Sequence, residues 1–277
     1  MYFGDGDGFG TNQIVRVRKD GSGRATFVSL ASDVFRSMLI SGTFLYWAGQ
    51  AGVRGCPLTG CTVPQVITND PRPRDLTTLM VSGSARSVVW LNDVEHRVSF
   101  LQLDGGVGVL TPLTATAGAE SCVQVRSAPP FDFAYVTDPG ADRLLSLPRI
   151  GVVKPVLSNA LTCMLAVTAN RVVYGDLGHI RSAAITPNGL ATPVVVADLK
   201  GPPPESLATD DRHVYWHITG SNGPSVLRVG VDGVTLTPEV FVDGFDYTTG
   251  IALDADWLYF VTSGNSGIGS RIWKVAK

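Results

Sequence analysis

Residues Leu207 to Gly233 read LATDDRHVYWHITGSNGPSVLRVGVDG, and the fold is decided in this stretch. It holds a short apolar run at Leu207 and Ala208, an Asp-Asp turn, an alternating run centred on Val214 and Tyr215, and a Gly-containing loop. A third run, Val226 to Val231, ends in Asp232-Gly233, and a fourth, Glu239 to Val242, follows. Each run is short, rich in β-branched and aromatic residues and bounded by Gly, Pro, Asn or Asp, which is strand punctuation rather than helix periodicity. One unit therefore comprises four antiparallel strands. Asp232-Gly233 is expected to close the hairpin between the third and fourth, because a tight turn matching strand twist needs positive φ, which Asp tolerates and Gly adopts freely.

The plan recurs about seven times along the chain, in repeats near 1–30, 38–68, 76–111, 122–157, 161–197, 205–242 and 250–277. Aromatic anchors mark the second strand of each: Phe3, Tyr46, Trp90, Tyr135, Tyr174, Tyr215 and Tyr259, separated by 43, 44, 45, 39, 41 and 44 residues. A four-stranded unit of that period is what one blade of a β-propeller requires. The first repeat lacks its first strand and the last lacks its fourth, leaving 26 strands, a count between the totals for six and seven complete blades. The chain is read as all-β, a single β-propeller over residues 1–277 with seven blades and an incomplete seam, six blades being the alternative. One upstream segment of roughly 20 to 25 residues would supply both absent strands and fasten the ring, which makes Met1 an internal start of an N-terminally truncated chain.

Composition narrows the function classes. The 277 residues are 44% hydrophobic and 17% charged, with 31 Gly and 17 Pro, as befits a globular chain that turns often. The net charge of −2, with Lys and Arg spread evenly, leaves no electrostatic footprint for nucleic acid. No run approaches the roughly 18 apolar residues of a membrane span. The start, Met1-Tyr2-Phe3-Gly4-Asp5, has neither the basic end nor the apolar stretch of a secretory signal. A monomer is expected.

Tyr46-Trp47 and Tyr215-Trp216 echo half of the Tyr-Trp-Thr-Asp signature. Arg-Val followed by Asp-Gly recurs at Arg16-Val17 with Asp20-Gly21 and at Arg228-Val229 with Asp232-Gly233. On these residues the chain resembles the YWTD, NHL and TolB-like propeller repeats of bacterial cell-envelope proteins, over nearly its whole length. Ala48-Gly49 and His217-Ile218 stand where Thr-Asp completes the signature, so receptor-style ligand recognition does not carry over. The resemblance implies a periplasmic, cell-surface or secreted protein, if a signal peptide precedes this chain.

Four cysteines are present. Cys56 and Cys61 flank the hairpin at Thr59-Gly60, close enough for a bridge across it. Cys122 and Cys163 lie at the first strands of consecutive repeats, which neighbour one another in a propeller, so a second, blade-to-blade disulfide is expected. The alternatives are four buried free thiols in a reducing compartment and, with less support from the spacing, a zinc site.

Chemistry, if any, belongs on the face formed by the loops between second and third strands, where propellers commonly bind ligands. The candidates there are Asp5, Asp7, Gln50, Asn92, Asp93, Asp138, Asp142, Asp176 and His217. Several carboxylates near a channel could hold a divalent cation or a polar ligand, although an Asp at a strand end also simply caps its turn. The Asp5-Gly6-Asp7-Gly8-Phe9-Gly10 loop has two oxygen ligands in calcium-loop positions, but Phe9 and Arg16 occupy places that need further ones. His213 and His217 share one side of a strand about 13 Å apart, too far to bind one metal. No nucleophile elbow, phosphate loop or dinucleotide fingerprint occurs. Two functions follow as expectations. One is a non-catalytic extracytoplasmic propeller, without cofactor, that binds or scaffolds a protein, peptide or glycan. The alternative is a lactonase- or lyase-like enzyme with a central Ca or Mg ion.

Overall fold

The computed structural model describes the chain apart from residues 7–11, 31–35, 81–85, 93, 95–96, 103–104, 113–124, 129–132, 139–142, 149–153, 159–163, 177, 200–203, 205, 221–222, 235, 246–247 and 263–270. Among the described residues 27 strands form seven antiparallel sheets in chain order. Two compact units contain them, Met1–Ala115 and Thr116–Lys277. The division falls in the small-residue stretch between Thr111 and Cys122.

In the first unit, sheet one comprises β1 (Tyr2–Gly6), β2 (Asn12–Arg16) and β3 (Ala25–Ser29). Sheet two comprises β4 (Ser37–Ser41), β5 (Phe44–Gly49), β6 (Gly52–Pro57) and β7 (Gln65–Thr68), and sheet three β8 (Pro73–Met80), β9 (Arg86–Asn92), β10 (Arg97–Gln102) and β11 (Gly105–Pro112). In the second unit, sheet four is β12 (Val125–Ala128), β13 (Phe133–Asp138), β14 (Arg143–Pro148) and β15 (Lys154–Ser158). Sheet five is β16 (Leu165–Val167), β17 (Arg171–Asp176), β18 (His179–Thr186), β19 (Gly189–Leu190) and β20 (Val194–Asp198). Sheet six is β21 (Leu207–Thr209), β22 (His213–Gly220), β23 (Gly223–Gly230) and β24 (Glu239–Val242), and sheet seven β25 (Thr248–Leu253), β26 (Trp257–Thr262) and β27 (Arg271–Ala276). The expected strands are all present, and the two-residue β19 is the addition. It arises because the turn after Thr186 extends the end of β18 into a ribbon, with Thr186 paired to Gly189, before the chain returns as β20.

A repeated bulge fixes the true register of the repeats. In six sheets the pairing of the third strand with the fourth slips by one residue, immediately after Ile14, Val53, Val98, Leu144, Ile180 and Val226. All six of these side chains are fully buried. The slip leaves one extra residue in the outer strand: Phe27, Ile67, Leu110, Val156, Val196 or Phe241. A bulge re-aims the side chain it carries, and Phe27 and Val196 are thereby buried between neighbouring sheets.

This register corrects the alignment of the aromatic anchors. The residues that face the bulge from the second strand are Phe3, Trp47, Trp90, Val136, Tyr174 and Trp216. Phe260 takes that place in sheet seven, because Leu253 pairs with Leu258 as Thr209 pairs with Val214. Tyr46, Tyr135, Tyr215 and Tyr259 lie one residue earlier and therefore on the opposite face of their sheets. The two sets meet between sheets: Tyr46 lies in one core with Trp90, Tyr135 with Tyr174, and Tyr215 with Phe260. Within each unit the sheets thus stack face to face, each large side chain contributing roughly 2 to 3 kcal/mol by burial.

Two further expectations change. Strand β8 begins at Pro73 rather than near Leu79, running through a bulge between Arg74 and Thr77; a Pro at the first position of a strand has no ladder N–H to lose. Asp232-Gly233 is not a two-residue hairpin, since β23 ends at Gly230 and β24 begins at Glu239. Of these two residues only Gly233 takes positive φ, at 72°, and a Cβ there would meet the Val195 carbonyl at 2.7 Å. Asp232 works through its side chain, with Oδ1 accepting from the Val234 N–H at 3.1 Å, as Asp20 Oδ1 accepts from Ser22 at 2.8 Å.

Candidate functional site

The bulge register brings four of the candidate residues into one structural position. Asp5, Asn92, Asp138 and Asp176 each stand two residues beyond the aligned position of the second strand, at the end that leads into the loop to the third. Gly49, Ile218 and Thr262 hold that place in the other sheets. Gln50 lies exposed in the turn between β5 and β6. Asp7, Asp93 and Asp142 lie outside the described residues, as do Cys122 and Cys163.

His217 does not belong to this set. It follows Trp216 directly, so its side chain leaves the opposite face of β22 from a residue at the Ile218 position. It is fully buried rather than at a rim, with Nδ1 2.8 Å from Ser206 Oγ. Asn92 is buried too, and its Oδ1 accepts from the Val94 N–H at 3.0 Å, which makes it a turn cap.

Asp176 is the described candidate that anchors a polar cluster open to solvent. It pairs across the β17–β18 turn with His179, whose Nδ1 lies 3.0 Å from Oδ1, while the Arg181 Nε–H donates to Oδ2. Strand pairing places Asp198 opposite His179, with Oδ1 3.5 Å from Nε2. The side chains of His179 and Arg181 are about one-third exposed and that of Asp198 more than half, whereas that of Asp176 is 11% exposed. Tyr174, on the same face as Asp176, has its phenol pushed up to about 12; burial is the main cause, Asp176 adds to it and Arg181 opposes it. Sequence reasoning found Asp176 but missed the use made of His179, Arg181 and Asp198. The available signal was alternation: His179 and Arg181 project to one side of β18, just past a two-residue turn that sets His179 opposite Asp176.

In the first unit the corresponding end of sheet two is closed by Arg54. Its guanidinium donates to the carbonyls of Val53, Thr68 and Ala51 at 3.2, 2.9 and 2.9 Å and to Asn69 Oδ1 at 3.3 Å. Arg54 and Arg181 occupy equivalent positions after the bulge. In sheet three the Trp90 indole N–H donates to Asp70 Oδ2 at 2.9 Å, and Arg97 lies 3.7 Å from Oδ1 of the same carboxylate.

The opposite end of the second unit is built differently, because there the polar groups tie one sheet to the next. Thr168 Oγ1–H donates to Asp211 Oδ1, and Asn170 Nδ2 donates to Oδ2 at 3.1 Å. Asp211 holds positive φ, at 69°, in making this latch. Arg171 Nη1 reaches the Val231 carbonyl at 3.3 Å, and Lys277 Nζ lies 3.0 Å from Asp210 Oδ2. Asp210 and Asp254 are equivalent turn formers, each accepting two backbone N–H bonds on Oδ1 and a tyrosine hydroxyl on Oδ2.

Cys56 and Cys61 form a disulfide beside the hairpin of sheet two, with Cα atoms 5.4 Å apart. Among the described residues no group of three or more His, Cys, Asp or Glu side chains is placed to hold a metal ion. Among them, too, no helix is long and apolar enough to cross a membrane.

No family model matches the chain, and no curated protein matches it in sequence. Among solved structures it is similar to a streptogramin B lyase, at 13% identity and a TM-score of 0.67, covering 94% of this chain and 89% of the other. A catalytically inactive virginiamycin B lyase from Staphylococcus aureus with quinupristin gives 13% and 0.66, covering 90% and 84%. TolB from Acinetobacter baumannii gives 14% and 0.55, covering 84% of this chain and 61% of that one. The likeness is one of fold, an all-β chain of blade-like antiparallel sheets of the β-propeller type, and it singles out neither the YWTD nor the NHL subtype.

Proposed function

We propose that the chain is a non-catalytic binding propeller of the bacterial envelope. It engages a protein, peptide or glycan through the ends of its sheets that carry the loops between second and third strands. One contrast supports this most: in the second unit the polar groups at the opposite end latch sheet to sheet, whereas Asp176, His179, Arg181 and Asp198 bond within their own sheet and stay partly open to solvent. His179 turns its two ring nitrogens to Asp176 and Asp198 and Arg181 turns its Nε–H to Asp176, so the cluster offers the remaining guanidinium N–H donors of Arg181 and an acceptor in Asp198. Such a set suits a carboxylate, an amide or sugar hydroxyls.

Seven blades are the architecture proposed with it, on the strength of the seven antiparallel sheets that the described residues form in chain order. An extracytoplasmic location is supported by the Cys56–Cys61 disulfide, because structural disulfides persist in oxidising compartments. The chain is proposed to act as a monomer.

Binding to glycan and peptide arrays tests the proposal. Ligands retained by the protein should be lost at least about tenfold in affinity by Arg181→Ala or His179→Ala with an unchanged melting profile. Undiminished binding by both variants would refute the site, and turnover of a lactone or of a cyclic depsipeptide by the purified chain would refute the non-catalytic assignment.

A further inference from the structure

We propose that His179 makes the cluster of sheet five a proton-operated clasp, which holds Asp198 in place for a ligand while the imidazole is protonated and releases it when the imidazole is neutral. The proposal rests on the reading of this cluster as the binding site and adds its regulation. Each ring nitrogen faces a carboxylate oxygen on a different strand: Nδ1 lies 3.0 Å from Asp176 Oδ1 on β17 and Nε2 3.5 Å from Asp198 Oδ1 on β20. A neutral imidazole has one N–H and one bare nitrogen, so it donates to one acid and turns a lone pair to the other. Only the imidazolium donates to both.

The two acids are held differently. The side chain of Asp176 is 11% exposed and also receives the Arg181 Nε–H, so its place does not depend on His179 alone. That of Asp198 is 56% exposed, and the contact with His179 ties it to the cluster. The backbone beside it is fixed separately, because the Leu199 N–H donates to the Gly178 carbonyl at 2.6 Å. Loss of the proton therefore frees the Asp198 carboxylate while the strand stays in place.

The neighbouring groups leave the switching to His179. Arg181, two residues on along β18, keeps its charge throughout. Tyr174, two residues back from Asp176 on β17, and Tyr135, in the core that sheet four shares with sheet five, stay neutral, since burial pushes both phenols up to about 12. With the proton the two acids are balanced by His179 and Arg181; without it the cluster carries one excess negative charge, which disfavours a carboxylate ligand. Loss of a fixed acceptor and gain of charge act in the same direction, so binding is strongest in acid and weakens as the pH rises through the histidine range of about 5 to 8.

Carboxyl footprinting tests the clasp without any ligand. The 277-residue protein is labelled with a water-soluble carbodiimide and glycine ethyl ester at about pH 5.5 and about pH 7.5, and labelling of Asp198 is read by mass spectrometry relative to the exposed Asp243. The ratio should rise at least about threefold from the lower pH to the higher. It should be high at both pH values in His179→Gln and low at both in His179→Arg, whose guanidinium is always charged. Circular dichroism and thermal melts establish that the variants are folded. A wild-type ratio that does not change with pH, or a rise that persists in both variants, overturns the clasp. Repeating the glycan and peptide arrays at the two pH values separates this proposal from the site itself. Retention at least about fivefold stronger at the lower pH, and independent of pH in His179→Gln, supports the clasp. Retention that Arg181→Ala abolishes but that is equal at both pH values keeps the site and overturns its regulation. No retained ligand at either pH refutes the site and this regulation with it, whatever the footprint shows.

Discussion

The Lys277 ammonium lies 3.0 Å from Oδ2 of Asp210 and so fastens sheet seven to the first turn of sheet six. Asp210 also accepts from the N–H groups of Arg212 and His213 and from the Tyr215 hydroxyl, at 3.2, 2.9 and 3.3 Å. Burial alone would raise its carboxyl, but the His213 N–H, the Lys277 ammonium and the Arg212 N–H together hold it below the usual carboxylate value. A group shifted this way adds stability above its unfolded pKa, and that stability is lost as the pH falls through the lower folded value. Asp210→Asn and Lys277→Met, singly and together, should give a coupling of about 1 kcal/mol at pH 7 in urea titrations. The coupling should shrink below about pH 4; one that is independent of pH would contradict the latch.

At high pH the limiting groups are phenols. Burial pushes Tyr135 and Tyr174 each to about 12. Both are protonated and neutral in the folded chain when the unfolded chain begins to ionise, so their contribution is complete below about pH 10 and lost as pH rises to about 12. Stability measured by urea midpoint should fall over that interval, and Tyr135→Phe with Tyr174→Phe should flatten the fall. An unchanged slope in the double variant would mean that other groups govern alkaline unfolding.

The stacking of sheets sets the scale of aromatic substitutions. Trp216 is 1% exposed and packs against Ala166, Val173, Ile180 and Val196 of sheet five. Trp216→Ala is expected to cost about 3 to 5 kcal/mol. Trp273→Ala, at an exposed edge, is expected to cost about 1 kcal/mol or less. Equal losses in chemical denaturation would show that the sheets do not stack as described.

Cys56 is buried in the core shared by sheets one and two, and Cys61 packs beside it. Because the closed loop is short, reducing the disulfide should cost about 2 kcal/mol rather than unfold the chain. Loss of cooperative unfolding on reduction would assign the bridge a larger role.

Much of this was legible in the sequence for a physical reason. Strand alternation and turn residues are local, so the strands themselves were legible apart from the early start of β8 at Pro73 and the added β19, and the five-residue spacing of Cys56 and Cys61 across a hairpin indicated their bridge. The one-residue offset between Tyr46 and Trp90, or between Tyr135 and Tyr174, was not legible. Both faces of these second strands are buried, so an aromatic fits either face and periodicity does not choose between them. His217 was misread for the same reason, since its neighbour Trp216 places it on the face packed against another sheet. The cluster around Asp176 depends on strand pairing with Asp198, a contact between residues 19 and more apart from their partners in sequence, which a local pattern does not carry.

A divalent-cation titration of the melting temperature discriminates most directly between a binding propeller and a metal-dependent enzyme. The account predicts no shift with 1 mM calcium or magnesium relative to a chelator control, at about the precision of the melt. A site with a dissociation constant near 10 μM would instead add about 2.7 kcal/mol and raise the midpoint by roughly 5 to 10 °C. A rise of that size, abolished by chelation and by Asp176→Asn, would contradict the account.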